Sequence, residues 1–215
     1  MTVHQGRLPG LFVCIDGPGG IGKSTMATLV ARALVDRAVP VHTATEPSRT
    51  PLGDHIRNGT GTYRGMALAC LVAVDRHHHL AAEMLPALRA GTVVISDRYL
   101  PSSLVPQRLD GITGDTVWQL NAGVYVPDLV VIVNADPAVI ARRLDERGGH
   151  SRFERLPDAS RSESNLYRQV TAELYERGWP ILTVDATTAK PEAIALTVAF
   201  QIVDMYLERR TACPA

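Results

Sequence analysis

The sequence predicts a doubly wound α/β domain in which helices cover both faces of a five-stranded parallel sheet. Five short apolar runs are the expected strands: Leu11–Asp16, Val41–Thr45, Thr92–Ser96, Leu129–Asn134 and Ile181–Asp185. Runs such as TVVIS and LVVIVN are continuous rather than alternating, which is typical of parallel strands that are buried on both faces. Segments with a helical pattern separate or follow them: about 22–38, 65–90, 113–123, 137–147, 161–177 and 191–209. Strands that alternate with helices in this way predict a parallel sheet.

The length and composition of the chain favour one domain. Its 215 residues, 46% of them apolar, suffice for one sizeable core and are few for two. There is no internal repeat, low-complexity tract or linker, so we expect a single domain over 1–215. The stretch 147–160, RGGHSRFERLPDAS, is polar and charged and contains two glycines. We expect it to form a mobile flap between two helices.

Composition argues against several classes of partner. The 22 basic residues equal the 22 acidic ones, so no global charge favours nucleic acid or a membrane surface. The first ten residues, MTVHQGRLPG, lack the apolar run of a signal peptide, and no segment approaches the length of a membrane span. The three cysteines are far apart, which suits a reducing compartment and predicts neither a disulfide framework nor a zinc site. We therefore expect a cytoplasmic protein that binds neither nucleic acid nor membranes.

A glycine-rich turn after the first strand predicts a nucleotide site. The stretch Gly17-x4-Gly22-Lys23-Ser24 follows the strand LFVCID and opens a helix, which is the context that a phosphate-binding loop needs. Glycines permit a tight turn whose N–H groups converge on phosphates, and the helix dipole adds positive potential. We expect Lys23 to face solvent until it reaches the β- and γ-phosphates of ATP, and the Ser24 hydroxyl to ligate Mg²⁺. The fold is then of the P-loop NTPase type, and the expected ATP-binding residues are Gly17, Gly19, Gly20, Gly22, Lys23, Ser24 and Thr25.

Two classes of nucleotide-binding protein without a second substrate are poorly supported. Partition-type ATPases and the nitrogenase iron protein share the fragment GGIGKST, but they place a second lysine where this chain has Pro18. GTPase switches carry Asn-Lys-x-Asp after a late strand, and the nearest candidate here, Val-Asn-Ala-Asp at 133–136, lacks the lysine. A phosphotransferase is therefore favoured, and a nucleotide-dependent regulatory ATPase is the alternative from another class.

A second group of polar residues follows the third strand. Asp97 and Arg98 come at its end, and the carboxyl edge of a parallel sheet is where such folds bind ligands. An aspartate at this edge can act on the Mg²⁺ shell, and an arginine can clamp a phosphate with its planar fork. A structural salt bridge between Asp97 and a helix is the alternative. The pair predicts a second phosphate site next to the first.

Over nearly its whole length the sequence resembles the thymidylate kinase family. The resemblance is carried, in matching order and spacing, by IDGPGGIGKST, TEPSRTPLG, VAVDR, LPALRAGTVVISDRYLPSSLVPQ, PDLVVIVNADPAVIARRLDER and RFE. It implies that the γ-phosphate of ATP is transferred to a nucleoside 5′-monophosphate. It also implies a homodimer packed through helices and a flap that closes over ATP.

The resemblance implies roles for individual residues around the acceptor. Asp16 is expected near the acceptor sugar and the waters of the metal, and Arg98 on the acceptor phosphate. Glu46 and Arg49 are expected to approach the transferring phosphates. Other residues of the acceptor pocket follow from the same resemblance: Arg76 at the base edge, with Ser103 and Gln107 in the lining.

The family also needs an arginine over the transferring phosphoryl group. Some members carry it inside the phosphate loop and others in the flap. Here the loop interior, Pro18–Ile21, holds no basic residue, whereas the flap holds Arg147, Arg152 and Arg155. The chain therefore resembles the flap-arginine type, with Arg152 as the first choice for the catalytic arginine and Arg147 as the second.

The acceptor pocket departs from the family pattern. Val72 stands where relatives carry a phenylalanine stacked on thymine, and Pro106 where many carry a tyrosine beside the sugar. In TEPSR the arginine follows the proline instead of preceding the glutamate. Loss of base stacking costs about 1–3 kcal/mol, or about 5- to 150-fold in affinity. We therefore expect the acceptor to be dTMP or a related, modified pyrimidine nucleotide, and a different small phosphorylated metabolite is the alternative.

Overall fold

The computed structural model describes residues 7–148, 152–155 and 158–212. The five predicted strands are confirmed, with bounds that differ from the expected ones by at most one residue at either end: β1 Phe12–Asp16, β2 Val41–Thr45, β3 Val93–Asp97, β4 Leu129–Asn134 and β5 Ile181–Asp185. The helices are α1 Lys23–Val35, α2 Pro51–Gly59, α3 Gly65–His79, α4 Leu85–Arg89, α5 Pro101–Leu104, α6 Pro106–Leu109, α7 Gly114–Leu120, α8 Pro137–Arg147, α9 Ala159–Glu176 and α10 Pro191–Ala212.

The strands form one parallel sheet in the order β2-β3-β1-β4-β5. Because β1 lies between β3 and β4, these two strands, which follow one another in the chain, lie on opposite sides of it, and a crevice opens at its carboxyl end. Ile15 of β1 pairs with Asp97 of β3, so the ends of these two strands meet at that crevice. The predicted doubly wound α/β fold is confirmed.

The core consists of two apolar layers, one on each face of the sheet. Leu11, Val13 and Ile15 belong to the layer that contains α1 and α10, whereas Phe12 and Cys14 belong to the opposite one with α4 and α9. All five residues of β1 are buried. This burial explains why the strand sequence shows no alternation of apolar and polar residues.

Three features of the helices differ from the expectation. The expected helix over 65–90 is divided by a π-helical turn at Leu80–Met84, and α4 begins directly after it with Pro86 in its first turn. Helix α2 was not predicted; Pro51 is at its start, and the Thr50 side chain caps it by accepting from the Gly53 N–H at 3.3 Å. The short helices α5 and α6 were also missed.

Some of the residues discussed above lie outside those that the structure describes. Of the expected flap, 149–151 and 156–157 lie outside the described residues, as do residues 1–6 and Cys213. Cys14 and Cys70 are free thiols. Among the described helices, none is long and apolar enough to cross a bilayer.

Candidate active site

The phosphate loop connects β1 to α1 in a backbone conformation that requires glycine. Gly17, Gly20 and Gly22 have φ angles of 149°, 75° and 96°. A Cβ atom on Gly17 would lie 2.3 Å from the Val133 carbonyl oxygen, so the loop is packed directly against β4. Ser24 and Thr25 follow in the exposed part of the first turn of α1. The loop therefore has the strand–turn–helix context in which backbone N–H groups converge on an anion.

Lys23 is folded onto its own loop. Its Nζ donates to the carbonyl oxygens of Gly17 at 2.7 Å and Pro18 at 2.6 Å, and only 4% of the residue is exposed. Burial lowers the pKa of Lys23 to about 7, and the nearby Arg98 charge lowers it further, against the opposing effect of acidic neighbours. The expectation of a solvent-facing ammonium is corrected, because these two carbonyl groups hold the side chain inside the loop.

Ser24 and Asp97 meet across the carboxyl edge of the sheet. The Ser24 hydroxyl donates to Asp97 Oδ2 at 2.5 Å. The other carboxylate oxygen, Asp97 Oδ1, is buried and has no hydrogen-bond partner in the described part of the chain. A hard divalent cation prefers oxygen ligands of this kind. The pair therefore fits Mg²⁺, which Asp97 and Ser24 would hold next to the phosphate loop.

Arg98 provides an unpaired guanidinium beside this pair. Its backbone N–H donates to the Ile15 carbonyl oxygen at 3.0 Å, and its φ angle of 77° is unusual for a residue with a side chain. Its side chain makes no hydrogen bond or close ion pair with a described residue, although the carboxylates of Asp97, Asp16 and Glu163 lie near enough for their charges to act on it. A partly buried arginine whose donors are not taken by a described residue is a ready site for an anion.

One cavity of about 430 Å³ is lined by residues of the phosphate-loop motif and by residues at the end of β3. It lies between the sheet edge, α2, α3 and the chain after β3. It brings together most of the residues that the sequence predicted: Gly19, Ser24, Glu46, Val72, Arg76, Asp97, Arg98, Ser103, Gln107 and Arg147, together with Pro106. The volume lies within the usual range of small-molecule sites.

The guanidinium of Arg76 makes its hydrogen bonds and its ion pair with other groups of the protein. It is 1% exposed and forms an ion pair with Glu46, whose Oε2 accepts from Nε at 2.8 Å. It also donates to Asn121 Oδ1 at 2.6 Å and to Ser103 Oγ at 2.7 Å. Burial raises the pKa of Glu46 against the effect of this arginine. Arg76 thus fixes one wall of the cavity, and Glu46 Oε1 and Gln107 Oε1 remain buried without a partner among the described residues.

Asp16 lies beneath the cavity and does not line it. It is fully buried, and its carboxylate accepts from the N–H groups of Gly17, Tyr99 and Ser102 at 2.9, 3.1 and 3.0 Å. The hydroxyl groups of Ser102 and Tyr167 donate to it as well, at 2.6 and 2.8 Å. These bonds differ from the expected contact with the acceptor sugar. They connect the phosphate loop to α5 and α9.

Arg49 also lies apart from the acceptor residues. It is exposed and lines a neighbouring cavity of about 550 Å³, together with Ser24, Thr45 and Asp97. Arg57 of α2, which the sequence reasoning missed, lines both cavities and donates to the carbonyl oxygens of Pro47 and Ser48 at 2.7 and 2.9 Å.

Of the three flap arginines, the two considered for catalysis, Arg147 and Arg152, take opposite positions. Both terminal nitrogens of Arg152 donate to the Asp110 carboxylate, and its Nε donates to the Thr60 carbonyl oxygen at 2.8 Å. Arg152 does not line the cavity. Arg147 lines the cavity and pairs with Glu154 at 2.9 Å. In the described geometry Arg147 faces the site and Arg152 does not, which differs from the expected order of the two as the arginine over the phosphoryl group.

Several cavity residues were not foreseen. Ile56, Leu68 and Phe153 form a small apolar cluster against which Val72 packs, and Glu163 of α9 approaches the phosphate loop. Phe153 could have been suspected from RFE, but no local pattern in the sequence indicates that it meets α2 and α3. Such contacts between distant parts of the chain depend on the tertiary fold.

Comparison with known proteins agrees with this geometry. The model of the family described as thymidylate kinase matches residues 15–195. The chain belongs to the thymidylate kinase family. It is 36% identical over 176 residues to the probable thymidylate kinase of Caldivirga maquilingensis, covering 80% of this chain and 84% of that protein. It is 35% identical to the probable thymidylate kinase of Pyrobaculum aerophilum, covering 87% and 94% of the two chains. It is also 35% identical to the thymidylate kinase of Leifsonia xyli, covering 91% and 95%.

Proposed function

We propose that the protein transfers the γ-phosphoryl group of ATP to the phosphate of dTMP, giving ADP and dTDP. One observation carries this proposal: Gly19 and Ser24 from the phosphate-loop motif line the same cavity as Arg98, whose guanidinium makes no hydrogen bond with a described residue. Phosphoryl transfer needs two anion sites in one enclosed space, since its catalysis consists mainly of positioning and charge neutralisation. A regulatory ATPase needs only the first of these sites.

Each side chain has a distinct task in this reaction. The loop N–H groups and Lys23 bind the phosphates of ATP, and Lys23 exchanges its two carbonyl partners for phosphate oxygens. Arg98 holds the phosphate of dTMP in line with the γ-phosphoryl group. Ser24 and Asp97 would hold Mg²⁺, which neutralises charge on the transferred group when it is bound. The Arg76–Glu46 pair keeps the acceptor wall in position.

The apolar part of the cavity suits the base of the acceptor. Ile56, Leu68 and Val72 supply an aliphatic wall, and Phe153 is the one aromatic ring among the described lining residues. The Arg152 guanidinium lies 4.1 Å from the centre of the Phe153 ring, and the Arg152–Asp110 pair anchors this segment. We therefore propose that Phe153 supplies the aromatic face that Val72 cannot provide.

Replacing Phe153 with alanine should weaken the binding of dTMP by about 5- to 150-fold, the usual effect of losing a base–aromatic stack. Binding of ATP should be nearly unchanged. Phe200→Ala is the matched control, because Phe200 is an exposed phenylalanine on α10. Calorimetric titration of dTMP into the three proteins measures the effect. Unchanged dTMP affinity in Phe153→Ala would remove this assignment.

The flap arginines can be separated by their effects on turnover. Arg147→Ala should lower kcat by about 10³-fold with a modest change in KM, since removal of an arginine finger costs on the order of 10³–10⁵. Arg152→Ala should change kcat by less than about tenfold, because Arg152 pairs with Asp110 and does not line the cavity. Steady-state assays of both variants show which of the two arginines contributes more to kcat. A larger loss of kcat in Arg152→Ala would restore the preference drawn from the sequence.

The acceptor is tested by a screen of nucleoside monophosphates and of small phosphorylated metabolites. The proposal expects dTMP to give the highest kcat/KM. A modified pyrimidine nucleotide as the best acceptor would keep the phosphotransferase and change its substrate. Phosphorylation of a non-nucleotide metabolite alone would instead support the alternative kinase.

We also propose that the enzyme is a cytoplasmic homodimer, as the family resemblance implies. Met66, Cys70 and Val74 recur every four residues along α3, and the first and last are 48% and 57% exposed. Such an apolar stripe on a helix surface suits helix–helix packing between two copies. Sedimentation of the wild type and of Val74→Arg tests the dimer, which the arginine should dissociate.

A further inference from the structure

A carboxylate from a distant helix accepts a hydrogen bond from the phosphate loop. Oε2 of Glu163, on α9, accepts from the N–H of Gly19 at 2.7 Å, across 144 residues of sequence. Glu163 is 6% exposed and lines the same cavity as Arg98. In the absence of nucleotide, a loop N–H group that would bind phosphate therefore donates to a carboxylate side chain instead.

The charges around Glu163 are those that a phosphate would meet. Its carboxylate interacts favourably with the charges of Lys23 and Arg98, one from each phosphate site. Burial raises its pKa, and the Gly19 N–H and the two cations act in the opposite direction. Glu154 is a second acidic neighbour, and its Oε1 lies 2.8 Å from where a Cβ on Gly19 would be.

The proposed transfer reaction has no task for this carboxylate. A fixed negative charge beside the transferred phosphoryl group would oppose the charge that the site must neutralise. Glu163 and a phosphate oxygen also compete for the same Gly19 N–H. Both considerations require the side chain to leave when ATP binds.

We propose that Glu163 is an internal substitute for phosphate, which holds the empty loop and is displaced by ATP. The apparent affinity for ATP is then reduced by the fraction of molecules in which Glu163 occupies the loop. This inference depends on the proposed function, since it assumes that ATP binds at the loop. It adds a residue that sets the affinity for the phosphate donor without taking part in the transfer.

Glu163→Gln provides the decisive variant. Glutamine keeps a carbonyl oxygen for the Gly19 N–H and removes the charge, so the connection between α9 and the loop is preserved. Calorimetry with ATP and Mg²⁺, without acceptor, should show binding roughly tenfold tighter than in the wild type, as expected for loss of a competing charge-assisted hydrogen bond. Glu176→Gln, an exposed position on the same helix, should leave the affinity unchanged.

The sign of the effect separates competition from a purely structural role. If Glu163 only supports the loop, Glu163→Gln should bind ATP equally well or more weakly, and this result would overturn the proposal. Glu163→Asp keeps the charge but shortens the side chain, so it should bind ATP with intermediate affinity and serves if the glutamine variant does not fold. Failure of the wild type to bind ATP would instead remove the proposed function.

Discussion

Replacing Lys23 with alanine should lower kcat/KM by about 10³-fold, the largest loss expected from a single side chain of the donor site. The ammonium group is the cation closest to the phosphate loop, where it donates to the carbonyl oxygens of Gly17 and Pro18. In the reaction it must neutralise charge on the phosphates of ATP, and alanine offers no donor for this. A coupled assay of ADP formation measures the loss.

The variant should still fold. Burial lowers the pKa of Lys23 to about 7, so holding its charge inside the folded protein costs stability, and removal of the side chain should leave the melting temperature close to that of the wild type. Lys190→Ala is the matched control, because Lys190 is exposed and lies next to α10, outside the cavity. Turnover of Lys23→Ala within about tenfold of the wild type would contradict the assignment of the phosphate loop.

Arg98→Ala should abolish use of the acceptor while ATP still binds. The guanidinium makes no hydrogen bond with a described residue, and the nearby carboxylates of Asp16 and Glu163 keep hydrogen bonds of their own, so its truncation should leave the fold intact. Losing one partner of a desolvated ion pair with the dTMP phosphate costs about 2–5 kcal/mol, or roughly 30- to 5,000-fold in affinity. Separate titrations with ATP and with dTMP measure the two sites independently.

Arg98→Lys distinguishes charge from geometry at this site. Lysine keeps the charge but cannot grip two phosphate oxygens with a planar fork, so it should recover only part of the dTMP affinity. Both substitutions retain a side chain at φ 77°, which makes their backbone strain comparable. A collapse of ATP affinity with intact dTMP binding would show that the donor and acceptor sites are reversed.

The sheet, and the meeting of Ser24, Asp97 and Arg98 at its carboxyl edge, could be predicted because the signals are local. A parallel strand buried on both faces is continuously apolar, and the residue that follows it lies at the ligand-binding edge. Asp97 ends a strand, Arg98 directly follows it, and Ser24 comes just after the turn that follows β1, so their place at this edge does not depend on distant contacts. Helix α2 was missed because its nine residues include two glycines and a proline, and its start depends on the Thr50 cap.

The positions of several side chains could not be predicted, because they depend on partners distant in sequence. Asp16 ends its strand as Asp97 does, yet the hydroxyl groups of Ser102 and Tyr167 donate to its carboxylate, which does not line the cavity. Arg152 stands directly before Phe-Glu, as the family pattern requires, but its side chain forms an ion pair with Asp110 and does not line the cavity. The bond from Gly19 to Glu163 likewise joins two segments that only the fold brings together.

The dependence of ATP consumption on dTMP shows whether the protein transfers phosphate to an acceptor or only hydrolyses ATP. ADP and dTDP are quantified over time with ATP and Mg²⁺, in the presence and in the absence of dTMP. For a dTMP kinase we expect rapid formation of ADP only when dTMP is present, with one dTDP for each ADP. Slow ADP formation that is the same with and without dTMP, or with any other acceptor, would contradict this expectation and indicate a regulatory ATPase.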